Sequence, residues 1–335
     1  MSDPFVTGLV TADRGIGEFA VVDALPESVV VVLAAVTHLA DPWFLFGLLA
    51  IGYWFGSDRL TASPRRAGAT AIATVSCTYA AVALGKAWFA VPRPPGATPP
   101  VDVPTWLPGV ISTWYELQVL SDGFGFPSGH AAAAAAAYLV LALLYDRVWT
   151  LRTRFLGAAA VAAGVAASRV AIEVHFLIDV VIGLLLGVCV VVGSLRLAGD
   201  TRVRGAKTKR TDLTDTPADL DPLPVFLFAA AVSGVAAVVA VVNAGTEGVI
   251  ESAIGISTGL GGAVGWLLVD GDEPVVPVRV AVPALLGTGG VWVGAYAVSS
   301  SAVVVLVATF AAVAVVIALP ALCLEKSVNS ASIRP

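Results

Sequence analysis

The chain is 335 residues long, 58% hydrophobic and only 13% charged, with a mean hydropathy of +0.89 and a formal net charge of −5. A soluble domain is nearer half apolar and a quarter charged, so this composition excludes an ordinary soluble protein, and no feature singles out nucleic acid as a partner. Several apolar runs reach the roughly 20 residues needed to cross a bilayer, which predicts a polytopic membrane protein with the lipid bilayer as its first partner.

The N-terminal stretch MSDPFVTGLVTADRGIGEF has no basic region followed by an apolar core, so no cleavable signal peptide is expected. The first apolar stretch, residues 28–55, is interrupted by His38, Asp41 and Pro42. It predicts a spanning helix over residues 36–55, with residues 26–35 as an extra helical segment at the interface. Further spans are predicted over residues 67–89, 130–145, 155–172 and 176–195. The polar segment AGDTRVRGAKTKRTDLTDTPADLDP, residues 198–222, reads as a solvated linker. Four more spans follow over residues 223–242, 249–269, 276–298 and 302–322. The fold class is therefore an all-α polytopic membrane helix bundle of about nine transmembrane helices, five in residues 1–197 and four in residues 223–335. Cys77, Cys189 and Cys323 lie scattered in apolar segments and read as small core residues rather than metal ligands or a disulfide framework. Gly255-x-x-x-Gly259 and Gly290-x-x-x-Gly294 permit close helix packing, within the chain or in a homo-oligomer, although an Ala/Gly-rich chain contains such spacings anyway.

Charge orients these spans. Arg59, Arg65, Arg66, Arg147, Arg152, Arg154, Arg196, Arg202, Arg204, Lys207, Lys209, Arg210, Arg279, Lys326 and Arg334, fifteen of the nineteen cations, fall on one side if every span crosses. The positive-inside rule makes that side cytoplasmic. The four cations left over are Arg14, Lys86, Arg93 and Arg169, and charges at a membrane boundary are costly enough to need a reason.

Three elements gather on that outer side. KAWFAVPRP places Lys86 at the end of the second span and Arg93 beyond it, stiffened by Pro92 and Pro94. FPSGHAAAAAAAY opens the third span with Ser128, Gly129 and His130 ahead of seven alanines, the best helix formers. SRVAIEVHFLID ends the fourth span with Arg169 and opens the fifth with His175 and, four residues on and on the same helical face, Asp179. Two histidines, three cations, a serine and a buried carboxylate suit an oxyanion such as phosphate. A helix N-terminus with a glycine adds free N–H groups that an anion approaches closely. Residue types alone thus give an anion site with an acid–base pair, and leave open which histidine attacks.

In order and spacing, K-x6-RP, PSGH and SR-x5-H-x3-D resemble the signature of the type 2 phosphatidic-acid phosphatase and vanadium haloperoxidase superfamily, over about residues 25–197. The resemblance implies a phosphatase core in residues 1–197 that uses neither a metal nor another cofactor. It implies that His175 is the nucleophile, oriented by Asp179 as in a triad, and that His130 is the general acid. Lys86, Arg93, Ser128, Gly129 and Arg169 would hold the phosphate oxygens. A site at the membrane boundary leads to a lipid phosphate or diphosphate as substrate, hydrolysed at the outer face of the cell membrane. A phosphatase for a soluble phosphate is the alternative within the same chemistry. A haloperoxidase fits an embedded chain poorly, because the resemblance there implies a soluble enzyme. A lipid or solute transporter is the non-enzymatic alternative, although the C-terminal spans have almost no ionisable residues near their midplanes and Glu251 lies near an outer end.

Three features stay outside the motifs. His38 and Asp41 read first as a local pair at a proline break and, alternatively, as part of the pocket wall. Glu173 reads as a solvated or paired boundary carboxylate. Residues 95–125, with Trp106, Trp114 and Tyr115, read as an outer loop that is either a lid or an inert interfacial segment.

Overall fold

A computed structural model describes residues 14–97, 102–121, 123–199, 220–269, 275–298 and 301–331, without the side chains of 296–298 and 324–331. Most of the expected linker lies outside the described residues, as do Arg202, Arg204, Lys207, Lys209, Arg210 and Arg334 of the orienting cations. After a single turn at Phe19–Val22 the helices are α1 (Glu27–Val36), α2 (Pro42–Phe55), α3 (Pro64–Phe89), α4 (Gly109–Val119), α5 (Gly129–Leu144), α6 (Leu151–Ala171) and α7 (Leu177–Gly199). They continue with α8 (Leu223–Asn243), α9 (Gly245–Trp266), α10 (Val278–Val298) and α11 (Ala302–Ala331). No strand occurs among the described residues.

Helices α3, α6, α7, α8, α10 and α11 are long and apolar enough to cross a membrane, and α1 with α2, bent by 49° at a short break, together make a seventh candidate. Every segment expected to span is helical, but α5 has only 16 residues, and α9 carries Glu247 and Glu251 with many Gly, Ser and Thr residues. The bend has a local cause: the 3-10 turn Thr37–Ala40 ends at Asp41, whose extended backbone (ψ 142°) precedes Pro42 at the start of α2. Residues 95–125 are more ordered than a loop, because α4 lies within them. Its Tyr115 and Val119 pack with Ala34, Ile172 and Val174.

Helix α3 is the axis of the bundle. It packs against α2, α5, α7, α8 and α9, so it joins the N-terminal and C-terminal helices. Small residues make this possible, and three of its buried hydroxyls are satisfied by carbonyls one turn back (Thr74 to Thr70, Ser76 to Ile72, Thr78 to Thr74). The alanine run of α5 is buried between α3, α6 and α7. Gly183 and Gly187 of α7 bring the backbones together: a Cβ at Gly183 would stand 2.6 Å from the Ser128 carbonyl oxygen, and one at Gly187 2.4 Å from that of Ala132. Gly255 and Gly259 press α9 onto α8 in the same way, whereas a Cβ at Gly290 or Gly294 meets nothing within 4 Å. Of the cysteines read as core residues, Cys77 is buried and Cys189 faces outward on the apolar surface.

Gly187→Ala should therefore destabilise the bundle on the overpacking scale of about 1–3 kcal/mol. Gly193→Ala on the same helix, where a Cβ meets nothing, should be neutral. Thermal unfolding of both variants in detergent checks this, and equal midpoints would show that α5 and α7 are not packed as described.

Candidate active site

The three sequence motifs meet at one end of the bundle. Helix α3 closes with Lys86 in its last turn and Ala90 in a left-handed cap (φ 50°), which sends the chain into the extended stretch before Arg93. Helix α6 closes with Arg169, whose carbonyl accepts from the N–H groups of Val174 and His175 (3.2 Å each) in a tight turn through Glu173 (φ 56°). Ser128 caps α5, its Oγ accepting from the Ala131 N–H at 3.5 Å, and its own N–H donates to the Asp179 carbonyl oxygen at 3.0 Å.

His175 is 2% exposed. Its Nε2 lies 3.1 Å from an Arg93 guanidinium nitrogen, which also donates to the Val174 carbonyl oxygen at 3.1 Å. Its Nδ1 faces Asp179 Oδ2 at 3.6 Å, an ion-pair distance too long for a hydrogen bond. Arg93, Arg169, His130 and Lys86 are all near enough to act on the His175 charge. Burial first, and then Arg93 and Arg169, push this imidazole well below its ordinary pKa of 6.5, so it is neutral near pH 7 with a lone pair available on a ring nitrogen.

Asp179 is held by a residue whose function the motifs do not disclose. Arg14 Nε donates to Oδ1 at 2.7 Å and its NH2 nitrogen to Oδ2 at 2.9 Å, a bidentate pair of two buried side chains. The same guanidinium donates to the Pro92 carbonyl oxygen at 3.1 Å and lies 4.6 Å from the centre of the Phe176 ring. The Phe176 N–H adds a third hydrogen bond to the carboxylate, on Oδ2, at 3.0 Å. Arg14 had a sequence signal, being one of the four cations left over on the expected outer side; its pairing with Asp179, 165 residues away, had none.

His130 faces Asp41, Nε2 to Oδ1 at 3.0 Å, and Oδ2 of the same carboxylate takes His38 Nδ1 and the Trp43 indole N–H (2.9 Å). Trp114, on α4, donates to His38 Nε2 at 3.0 Å, which leaves the His38 proton on Nδ1, pointing at Asp41. The local His38–Asp41 pair therefore exists and also belongs to the pocket, and α4 buttresses it. Arg169 donates to Thr37 Oγ1 at 2.9 Å, so the 3-10 turn before Asp41 touches two motif residues. Lys86 Nζ lies 3.6 Å from Glu251 Oε1, a partner contributed by α9. Among the described residues no group of three or more His, Cys, Asp or Glu side chains is arranged to hold a metal ion.

A family model described as PAP2 superfamily matches residues 67–202, the stretch that carries all three motifs. No curated protein and no solved structure gives a significant match.

The Arg14–Asp179 pair should show strong coupling. Breaking a buried pair from one side costs about 3–5 kcal/mol, because it strands the other charge. Arg14→Ala should lose stability on that scale alone and far less in an Asp179→Asn background. A double-mutant cycle of thermal unfolding in detergent measures this, and additive effects would mean that the two groups do not pair.

Proposed function

We propose that this chain, whose residues 67–202 match a PAP2 superfamily model, is an integral-membrane phosphatase that hydrolyses a lipid phosphate at the outer membrane face through a phosphohistidine. Phosphatase chemistry on phosphate esters is the activity the family implies. The observation that carries the finer reading is the buried, neutral His175, backed by Asp179 and ringed by Arg93, Arg169, Lys86 and His130.

In this reading His175 Nε2 attacks phosphorus as the bond to the leaving oxygen breaks. The proton on Nδ1 points toward Asp179, whose charge steadies the imidazolium. His130 gives a proton to the departing alcohol oxygen. Arg93, Arg169, Lys86 and the N–H groups at the start of α5 hold the phosphoryl oxygens, with Ser128 fixing that N-terminus and Gly129 leaving it uncovered. His130, now unprotonated, then takes a proton from water, which attacks the phosphohistidine, frees inorganic phosphate and restores His175. A cradle of cations and N–H groups needs no metal, so phosphate release should persist with a chelator present. Residues 1–197 form the catalytic core in this proposal, and residues 223–335 a membrane region attached to it. A substrate whose phosphate is reached at a membrane boundary can keep its tail in the bilayer, which is why a lipid phosphate is preferred to a soluble one.

Two predictions test this. Purified protein in detergent should release phosphate from lipid phosphates, and the two histidines should fail differently. His175→Ala should trap no phosphoenzyme in rapid-quench experiments. His130→Ala should lose about 10²–10⁴-fold on alkyl phosphates and much less on an aryl phosphate, whose leaving group needs little protonation. With the His175 pKa depressed, trapping by the unmodified enzyme should persist as pH falls through 6.5. Equal loss on all leaving groups together with trapping by His175→Ala would reverse the roles. The second prediction concerns the face: single cysteines introduced within residues 95–125 and 198–222 should react oppositely with an impermeant thiol reagent, and labelling of the second position alone in intact cells would invert the topology.

A further inference from the structure

Beside the phosphate cradle lies a cavity of about 640 Å³ that the hydrolytic chemistry does not use. Lys86, Gly129, His130 and Glu251 stand at one part of its wall; the remainder is predominantly apolar, with α2 and α3 on one side and α9, α10 and α11 on the other. Trp43 and Leu285 line it and are 64% and 37% exposed, so it communicates with the outward, lipid-facing surface at α2 and α10.

These features constrain the occupant. The cavity is continuous with His130 and Lys86, so what enters it is attached to, or next to, the group being hydrolysed. Away from that end the Ser76, Thr258 and Thr288 hydroxyls of the wall already donate to carbonyls of their own helices, which disfavours a sugar or a second headgroup, since buried hydroxyls without hydrogen bonds are costly. At roughly 30 Å³ per methylene, about the volume of a water molecule, it holds on the order of twenty carbons. Glycines widen it from both sides: a Cβ at Gly47 of α2 or at Gly289 of α10 meets nothing within 4 Å, and both residues line the cavity.

We propose that this cavity houses one hydrocarbon chain of the lipid phosphate, with α9, α10 and α11 supplying the wall that selects its length; the proposal rests on the lipid-phosphatase reading above. It gives the C-terminal helices, which lie beyond the PAP2 match, a part in substrate choice. A chain leaving the bilayer gains little from another apolar surroundings, since lipid tails are as apolar as leucine. Selection therefore comes from shape, through chains that fit and chains that do not. For alkyl phosphates presented from water, each methylene that enters should raise kcat/KM by up to about fourfold, equivalent to about 0.8 kcal/mol, until the cavity is full near twenty carbons.

The test compares kcat/KM for a series of alkyl monophosphates with that for phenyl phosphate, in the full-length protein, in Gly289→Phe and in Gly47→Phe. The expected result is that the long-chain to phenyl ratio falls at least tenfold in both variants and that the optimum moves to shorter chains. Because the readout is a ratio within each preparation, loss of folded protein does not mimic it. In the unmodified protein, an alkyl phosphonate carrying a terminal diazirine should photolabel α10 or α11, at Trp292 or Val313, and orthovanadate should suppress the labelling. If the unmodified enzyme hydrolyses long-chain phosphates but the ratio stays unchanged in both variants and the label falls elsewhere, the tail lies outside this cavity; the proposal is then overturned and the lipid-phosphatase reading stands. If only soluble esters are hydrolysed, with no dependence on chain length, that reading fails and takes the proposal with it.

Discussion

Asp179 is the residue on which the arrangement of the site depends. Its side chain takes two hydrogen bonds from Arg14 and one from the Phe176 N–H, and its main-chain oxygen accepts from Ser128. One residue at the start of α7 thereby fixes the N-terminal segment, the turn that carries His175, and the cap of α5. Arg14 extends the tie to the Pro92 carbonyl, one residue before Arg93. A fully buried carboxylate is tolerated only with such saturation. The cost of its desolvation is thus offset by bonds that also register three separate motifs against one another.

The cations around His175 form a second constraint, since Arg93, Arg169 and Lys86 carry like charge and repel one another. Each is steadied by a neighbour: Arg93 by the Val174 carbonyl within the third motif, and Arg169 by Thr37 and Lys86 by Glu251 from outside the motifs. Such preorganisation is what lets fixed charges stabilise a transition state without reorienting during the reaction. The partners differ in how firmly they hold. The Glu251 side chain is 51% exposed and 3.6 Å away, the weakest of the three, so in the proposed reading Lys86 is the cation most readily handed to a phosphate.

Local pattern made much of this legible. Runs of apolar residues with boundary charges place all the expected helices, and the spacing of His175 and Asp179 does bring them together, although His175 lies in the turn before α7 rather than on its face. What sequence reading passed over is the long-range contacts of the site residues. Arg14 and Asp179 are 165 positions apart, and Lys86 meets Glu251 from the other half of the chain. Asp41 pointed to His38 by proximity, but its bond to His130, 89 residues on, follows from the bend at Pro42, which no periodicity encodes. Helix α4 stayed hidden for a different reason: it is short, its first residue is glycine and it follows a proline-rich stretch, so local signals read as loop while packing against α1 supports a helix.

The same contacts bear on why the C-terminal helices are part of the molecule at all. Tyr53 and Trp54 of α2 donate to main-chain oxygens of Ile317 and Val316 in α11, and Asn243 of α8 reaches the Ala87 carbonyl at the end of α3. In an apolar surrounding, such side-chain bonds to backbone carbonyls fix orientation as much as they add stability. The Asn243 bond falls one residue after Lys86, and the Lys86 partner Glu251 lies eight residues further along, so α8 and α9 grip the end of α3 where it delivers its cation to the cradle. A shift of α9 against α3 would move Glu251 relative to Lys86, and a molecule wedged between α2 and α10 presses on the same helices. In the proposed reading, tail binding and phosphate binding thus share a mechanical element in α3, which would couple the C-terminal half physically to the chemistry.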